Sequence, residues 1–393
     1  MKTPRVFLVA GEPSGDSLGG GLIAALKQMA PDTMCAGVGG PEMFAAGMDL
    51  VFPYDDLAVM GLVEVLPRYF RIRRRWREVM AAIERFDPDV VVTIDSGGFN
   101  KPVARKLIAR GSTARRVQYV GPMVWAWRPG RAKTTAELFH RLLVLFPFEP
   151  PFFEAHGLPT TWVGHPAAER PPGNGPRFRA AHGISSGAKV VAVLPGSRPG
   201  EVGRLLPSFT QALGMLAERI RDLILVFPTL PLVAEQVRAA VDRLSIRAVV
   251  SDRADEKADA FAASDAAMAA SGTVTLELAL ARVPMVVAYR VNPVTAFLGR
   301  RLLNVSSASL PNLLAGSTLV SECLQDDCRP DILAVELARL FDSPEARNRQ
   351  IEAFHSIAAD LRSLDGSPSE AAAAMILHEA AERRSADKTT PTA

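Results

Sequence analysis

The sequence predicts an α/β protein made of two doubly wound units in tandem, and three observations carry the prediction. Two short apolar runs, Arg5–Ala10 and Lys189–Leu194, each end in a turn containing glycine and serine and then enter a stretch of helical composition. A buried parallel strand followed by its crossover helix has this pattern. Between the two, Glu169–Pro176 (ERPPGNGP) is dense in proline and glycine and reads as a linker. A further corner, Ser264–Ala281, runs from small residues at Ala266–Ala270 through Ser271-Gly272-Thr273 into a helix at Thr273–Ala281. At 393 residues there is room for two or three domains. The expected division is 1–166, 167–345, C-terminal helices at 346–384 packing back on the first domain, and a disordered tail at 385–393.

Bulk composition narrows the class. Apolar residues at 48% and charged residues at 22% are those of a soluble globular protein. A net charge of +3 is too small to point to nucleic acid. Cys35, Cys323 and Cys328 are odd in number and form no CxxC pair, which suggests reduced thiols. Only Met1–Pro4 precede the first strand and no apolar run is long enough to span a bilayer, so a cytoplasmic protein is expected. The histidines are scattered and the second unit has no Asp-x-Asp pair, so neither a metal nor a cofactor is expected.

In chain order, strand Arg5–Ala10 leads into Gly11-Glu-Pro-Ser-Gly-Asp16, and Gly19–Gly21 are expected to open a helix running to about Met29. These glycines do not fit G-x-G-x-x-G. Glu12, Ser14 and Asp16 would then stand at the carboxyl end of the strand, where open α/β sheets bind ligands. Strands follow at Met34–Val38, Asp89–Ile94, Arg116–Val120 and Arg141–Leu145. Between the first and second of these, Tyr69, Ile72, Trp76, Val79, Met80 and Ile83 recur at helical spacing, leaving Arg68, Arg71, Arg73, Arg74, Arg75 and Arg77 on another face. Beside Met60, Leu62, Val63 and Leu66 this basic face suits docking on anionic lipid; a solvated face on a core-packed helix has the same pattern.

Asp95-Ser-Gly-Gly-Phe-Asn100 follows a strongly apolar strand, which makes Asp95 a candidate general base with Asn100 beside it. Aspartate as a plain turn former is the alternative. Pro122–Arg128, with two tryptophans and Arg128, reads as a pocket wall or a packed surface loop. In the second unit, Pro195-Gly-Ser-Arg198 after a strand resembles an anion-binding turn, with Ser197 beside Arg198, whose guanidinium suits a phosphate. Strands are expected at Leu223–Phe227, Ala248–Val250 and Pro284–Tyr289. The corner at Ser271, Gly272 and Thr273 would aim backbone N–H groups and a helix N-terminus at a diphosphate, with Glu277 one turn on and within reach of a ribose. An ordinary capped corner has the same sequence. Ser309–Gly316 is a loop carrying Asn312, and helices run from about Pro330 to Arg384.

Together these motifs resemble lipid-A-disaccharide synthases. The matches are AGEPSGD at Ala10–Asp16, GVGGPEM at Gly37–Met43, AVMGLVEVL at Ala58–Leu66, IDSGGFN at Ile94–Asn100 and VWAWR at Val124–Arg128. LPGSR at Leu194–Arg198, SDAAMAASGTVTLE at Ser264–Glu277 and SLPNLLAG at Ser309–Gly316 complete the series in family order, over nearly the whole chain. The ASGT…LE element alone is shared with other enzymes that bind nucleotide sugars. The resemblance implies two Rossmann-like domains facing a cleft (the GT-B arrangement). It implies a donor, UDP-2,3-diacylglucosamine, and an acceptor, 2,3-diacylglucosamine 1-phosphate. The product would be a β-1,6-linked disaccharide 1-phosphate formed with inversion at the inner face of the cytoplasmic membrane. It maps Asp95 as base, Arg198 and Asn312 near the donor and Glu277 on the ribose. A homodimer is compatible with the sequence.

One departure stands out. The family usually has Pro and Asp where this chain has Gly97 and Gly98, so a second carboxylate of that loop is missing. Two other functions remain open on the sequence: a nucleotide-sugar 2-epimerase of similar build, and a membrane-docked UDP-sugar-binding protein without activity.

Overall fold

The computed structural model describes residues 3–54, 62–95, 97–125, 128–290, 307–362 and 366–389, apart from the side chains of 62–72, 97 and 387–389. The described residues divide into two compact units, Met1–Glu169 with Leu361–Ala393, and Arg170–Asp360.

The first unit is built on seven parallel strands: β1 (Arg5–Ala10), β2 (Met34–Gly39), β3 (Asp49–Pro53), β4 (Val90–Ile94), β5 (Arg115–Tyr119), β6 (Arg141–Val144) and β7 (Thr160–Trp162). Their order across the sheet is β3-β2-β1-β4-β5-β6-β7. The strands are apolar runs because helices cover both faces; every residue of β4 is buried. Chain direction across the sheet reverses between β1 and β4, which pair in register with Ala10 opposite Ile94. The crevice beyond the carboxyl ends of those two strands is the topological switch point.

Helix α1 (Pro13–Met29) starts six residues before the expected Gly19. Extended Glu12 is its N-cap and Pro13, with φ already suited to a helix, takes N1. Ser14 and Asp16 therefore sit in the first helical turn rather than in a loop. The glycines serve packing instead: a Cβ on Gly20 would meet the backbone of Glu42 at 3.2 Å, and one on Gly21 would meet Ser369 Oγ at 2.7 Å. Their neighbours are α2 (Pro41–Ala45) and the C-terminal helix Pro368–Thr389.

Helix α3 (Leu62–Phe86) carries the arginine run. Trp76 stacks on Phe99 at 5.8 Å and Val79, Met80 and Ile83 are buried, as the helical spacing predicts. Arg73 and Arg77 are exposed. Arg74 pairs with Glu78 at 2.8 Å, and Arg75 is turned inward, against Glu78 and over the Phe52 ring at 4.3 Å. Met60 lies outside the described residues, as do the side chains of Leu62, Val63, Leu66 and Arg71.

The second unit has six parallel strands: β8 (Lys189–Leu194), β9 (Leu223–Pro228), β10 (Ala248–Ser251), β11 (Ala266–Ala270), β12 (Met285–Tyr289) and β13 (Ser321–Leu324). They lie in the order β10-β9-β8-β11-β12-β13, so the switch point falls between β8 and β11, where Leu194 is opposite Ala269. One side of the sheet buries Phe209, Leu213, Phe227, Met268, Leu333 and Leu337 in a single core.

The C-terminal helices do not move as a block. Helix Pro344–Asp360 belongs to the second unit, where buried Gln350 accepts from Met285 N at 2.8 Å; only Pro368–Thr389 returns to the first. That last helix docks through charge. Glu379 is fully buried and accepts from Arg115 Nε at 2.6 Å and Arg141 Nε at 2.5 Å. Burial raises its carboxyl, and the two guanidiniums overcome that and hold it below its ordinary range. Asp89 likewise receives Arg5 N, Arg383 and Arg384. The unit boundary falls after Glu169 rather than at 166, and residues 385–389, expected to be disordered, continue the helix. Among the described residues no helix is long and apolar enough to cross a membrane.

Candidate active site

At the switch point of the first unit, the turn after β1 faces the turn after β4. A Cβ on Gly15 would lie 3.2 Å from Ala10 Cβ and 3.7 Å from Ile94 Cγ2. Glu12 is half-buried and Ser14 exposed. Asp16 is not available to a substrate: it is buried, and its carboxylate accepts from Gly40 N (2.7 Å), Glu42 N (3.0 Å) and Met43 N (3.1 Å). It caps α2, using up the amides that the start of a helix leaves unpaired.

Asp95 directly follows β4, is exposed, and has φ 51°, a left-handed backbone that is uncommon outside glycine. Its N–H donates to Tyr119 O at 2.9 Å. Asn100 is fully buried and donates from Nδ2 to Ile94 O (3.0 Å) and Asp95 O (3.2 Å), while its Oδ1 has no hydrogen-bond partner among the described residues. Where the family's second carboxylate would stand, a side chain built on Gly98 meets open space.

The next two strand ends build a wall beside this turn. Trp125, from the VWAWR stretch, is buried edge-on to Phe146 and Phe148, and donates from Nε1 to Glu149 Oε1 at 3.2 Å. Glu149 Oε2 accepts from Phe146 N at 3.1 Å. Burial pushes the Glu149 carboxyl up to about 7, against the opposing pull of those two hydrogen bonds. Arg128 is exposed with φ 54°; Ala126 and Trp127 lie outside the described residues.

In the second unit the same architecture recurs. Pro195–Arg198 connects β8 to the helix Pro199–Ala217. Gly196 has φ 125°, Ser197 N donates to Glu201 Oε2 at 3.3 Å, and Tyr289 Oη donates to Glu201 Oε1 at 3.4 Å. Glu201 thus folds the turn back on itself. Arg198, the N-cap residue, is exposed, and its guanidinium makes no ion pair or hydrogen bond among the described residues.

Across the switch point, Gly272 takes φ 150° between β11 and the helix Thr273–Leu280. The N–H groups of Gly272, Thr273 and Val274 find no acceptor among the described residues. Three unpaired amides at a helix N-terminus, with an unpaired arginine after the adjacent strand β8, have the chemistry that an anion site requires.

Three side chains expected near this anion are occupied otherwise. Ser271 Oγ donates to Ala308 O, tying the turn to the Ser307–Ser309 loop. Glu277 is ion-paired with Lys257, outside hydrogen-bond geometry. Every hydrogen-bonding position of the Asn312 amide is taken: Oδ1 by Leu319 N (2.8 Å) and Val320 N (2.7 Å), Nδ2 by Val320 O (2.9 Å) and Glu322 Oε1 (2.8 Å). Ser309–Gly316, expected as a loop, is instead a short helix over Leu310–Ala315 capped by Gly316; within it Asn312 ties the helix to the 319–320 turn and to Glu322 and has no side-chain valence left for a donor. The organiser is Glu322, which sequence reasoning missed. It accepts from Ser307 Oγ, Ala308 N (2.9 Å), Ser309 N (3.0 Å), Ser309 Oγ (2.8 Å) and Asn312 Nδ2. Gln118 and Glu149 were missed too. Their signal was a polar residue within an apolar run (RVQYV, LFPFEP), which burial obliges to find partners.

The family model for lipid-A-disaccharide synthetase matches residues 6–376. The chain belongs to the lipid-A-disaccharide synthase family. It is 48% identical over 391 residues to the lipid-A-disaccharide synthase of Rhodospirillum centenum, covering 99% of this chain and 98% of that one. The synthase of Paramagnetospirillum magneticum is 48% identical over 352 residues, 88% of this chain and 90% of its own. Family membership makes the protein a glycosyltransferase of lipid A biosynthesis, with a UDP-sugar donor and a lipid acceptor, and does not favour the epimerase alternative.

Solved structures agree on the fold. A putative UDP-N-acetylglucosamine 2-epimerase from Listeria monocytogenes superposes with a TM-score of 0.65 at 15% identity, covering 99% of this chain and 98% of that one. The glycosyltransferase of kitacinnamycin gives 0.63 at 19%, covering 96% and 100%. The shared architecture of two Rossmann-like domains, GT-B in glycosyltransferases, thus serves both chemistries.

Proposed function

We propose that this synthase transfers a 2,3-diacylglucosaminyl group from UDP-2,3-diacylglucosamine to the 6-hydroxyl of 2,3-diacylglucosamine 1-phosphate. The supporting observation is that in each unit the family motifs collect at the topological switch point: Glu12 and Asp95 in one, Arg198 and the Gly272–Val274 amides in the other.

In the proposed step the Asp95 carboxylate takes the proton of the acceptor's 6-hydroxyl as that oxygen attacks the anomeric carbon. The bond from carbon to the β-phosphate oxygen breaks on the opposite side, and UDP leaves with the electron pair. Its charge is met by the Arg198 guanidinium, the three amides and the helix N-terminus, donors held in place before the charge develops. Glu277 reaches the ribose by exchanging its Lys257 partner. Asn312, Glu322 and Ser271 act by shaping the loop beside the diphosphate. A single carboxylate at the Asp95 turn suffices for this scheme.

The acyl chains of both substrates call for work at the inner face of the cytoplasmic membrane, as a peripheral protein. Exposed Arg73 and Arg77 on α3 suit the anionic headgroups.

The test is a radiolabelled-acceptor assay on purified protein with and without UDP-diacylglucosamine. Donor-dependent formation of the disaccharide 1-phosphate is expected; UDP binding with no product would favour a degenerate binding protein. Asp95→Asn, which keeps the shape and removes the proton acceptor, should lower turnover about two to four orders of magnitude and leave UDP affinity unchanged. Near-normal turnover would move the base assignment to Glu12.

A further inference from the structure

Asp95 and Val120 follow the ends of adjacent strands, β4 and β5, and both have left-handed backbones, φ 51° and 73°. Neither is glycine, and for β-branched Val120 such a conformation is an outlier. One buried side chain holds both corners. Gln118 donates from Nε2 to Asp95 O at 3.1 Å and to Val120 O at 3.1 Å. Its Oε1 accepts from the Thr93 hydroxyl at 2.6 Å, across the register pair of β4 and β5.

The two carbonyls, which can only accept, set the orientation of the amide: its NH2 group faces them, and Oε1 is left to accept from the Thr93 hydroxyl. Asn100 adds its own donor to Asp95 O from the other side. The carbonyl of Asp95 is therefore held by two side-chain amides. Rotating Asp95 back to an ordinary β conformation would strand buried donors as well as move its side chain.

We infer that Gln118 is a positioning residue for the transfer reaction: braced at Oε1 by Thr93, its amide holds Asp95 in the left-handed conformation that sets its carboxylate at the switch point. This rests on the reading of Asp95 as the base. Gln118 itself is 5% exposed and touches no reacting atom; it acts through Asp95.

The experiment is a double-mutant cycle with Gln118→Met, which keeps length and removes the donors, in wild-type and Asp95→Asn backgrounds. Turnover is followed by radiolabelled acceptor, UDP affinity by calorimetry. In the wild-type background kcat should fall about tenfold while KM for each substrate and UDP affinity stay within about twofold. In the Asp95→Asn background the same change should cost no more than about twofold, because the group it positions has lost its function. A tenfold loss in both backgrounds, or no loss in wild type, overturns the inference and leaves Gln118 a fold element. Near-normal turnover by Asp95→Asn alone is a separate outcome: it removes the base reading itself. Should Gln118→Met fail to fold, Thr93→Val in the same two backgrounds decides. A kcat loss of about threefold confined to the wild-type background supports positioning, and any other pattern overturns it.

Discussion

Glu322→Gln is the perturbation whose size the structure sets most directly. The Glu322 carboxylate gathers five donors, four on Oε1 and Ala308 N on Oε2. Glutamine has one oxygen to offer. The rotamer that keeps the four-donor oxygen turns its NH2 against the Ala308 N–H, so that bond is lost and two donors face each other. Losing a charge-assisted hydrogen bond and leaving the amide unpaired costs about 2–3 kcal/mol. This falls on the Ser307–Ser309 loop, to which Ser271 is tied through Ala308 O. If that loop shapes the diphosphate site, donor affinity can fall by at most the whole cost, roughly 30- to 150-fold. A tenfold rise in the UDP dissociation constant is expected by order of magnitude, since only part of the cost is recovered on binding. Calorimetric titration with UDP and urea unfolding on the same preparation measure the two quantities together. Destabilisation of the expected size with UDP affinity within twofold of wild type would refute the link between loop and donor.

Arg198→Ala should lower turnover by about two to three orders of magnitude, with Arg198→Lys restoring only part of it, because a point charge cannot copy a bidentate fork; near-normal activity of the alanine variant would remove Arg198 from the diphosphate. Glu149 gives a pH prediction. Its folded carboxyl is raised to about 7 by burial from an ordinary value of 4.5. Its contribution to stability is therefore fully present below about 4.5 and declines as pH rises through 7, by about 3 kcal/mol. Relative to Glu149→Gln, wild type should lose that margin between pH 5 and pH 8 in chemical denaturation; parallel curves would contradict it. Finally, Arg73→Gln with Arg77→Gln should weaken cosedimentation with anionic vesicles and reduce its salt sensitivity, with turnover of detergent-dispersed substrate little changed. Unaltered vesicle binding would make these arginines a solvated face.

Much of the fold was legible in the sequence because parallel strands covered on both faces must be apolar throughout, and their turns must carry glycine, serine or proline. The two units, their strand–turn–helix corners and the positions of Asp95, Arg198 and the Ser271 turn follow from that local rule. The motifs also fixed the family, and with it the chemistry. Helix starts were less legible: Gly19–Gly21 read in one dimension as the opening of a helix that begins at Pro13, and prove to be packing glycines inside α1. What only the tertiary structure decided is which polar groups remain available to a substrate. Asp16 and Asn312 have the residue types a site requires. Yet backbone amides from α2 and from the 319–320 turn claim them. Conversely Gln118 and Glu322 acquire their importance from donors and acceptors far away in the chain, and spacing along the sequence carries no record of those distances. A buried polar group must be paired wherever the chain happens to bring a partner, and that pairing is a property of the folded molecule.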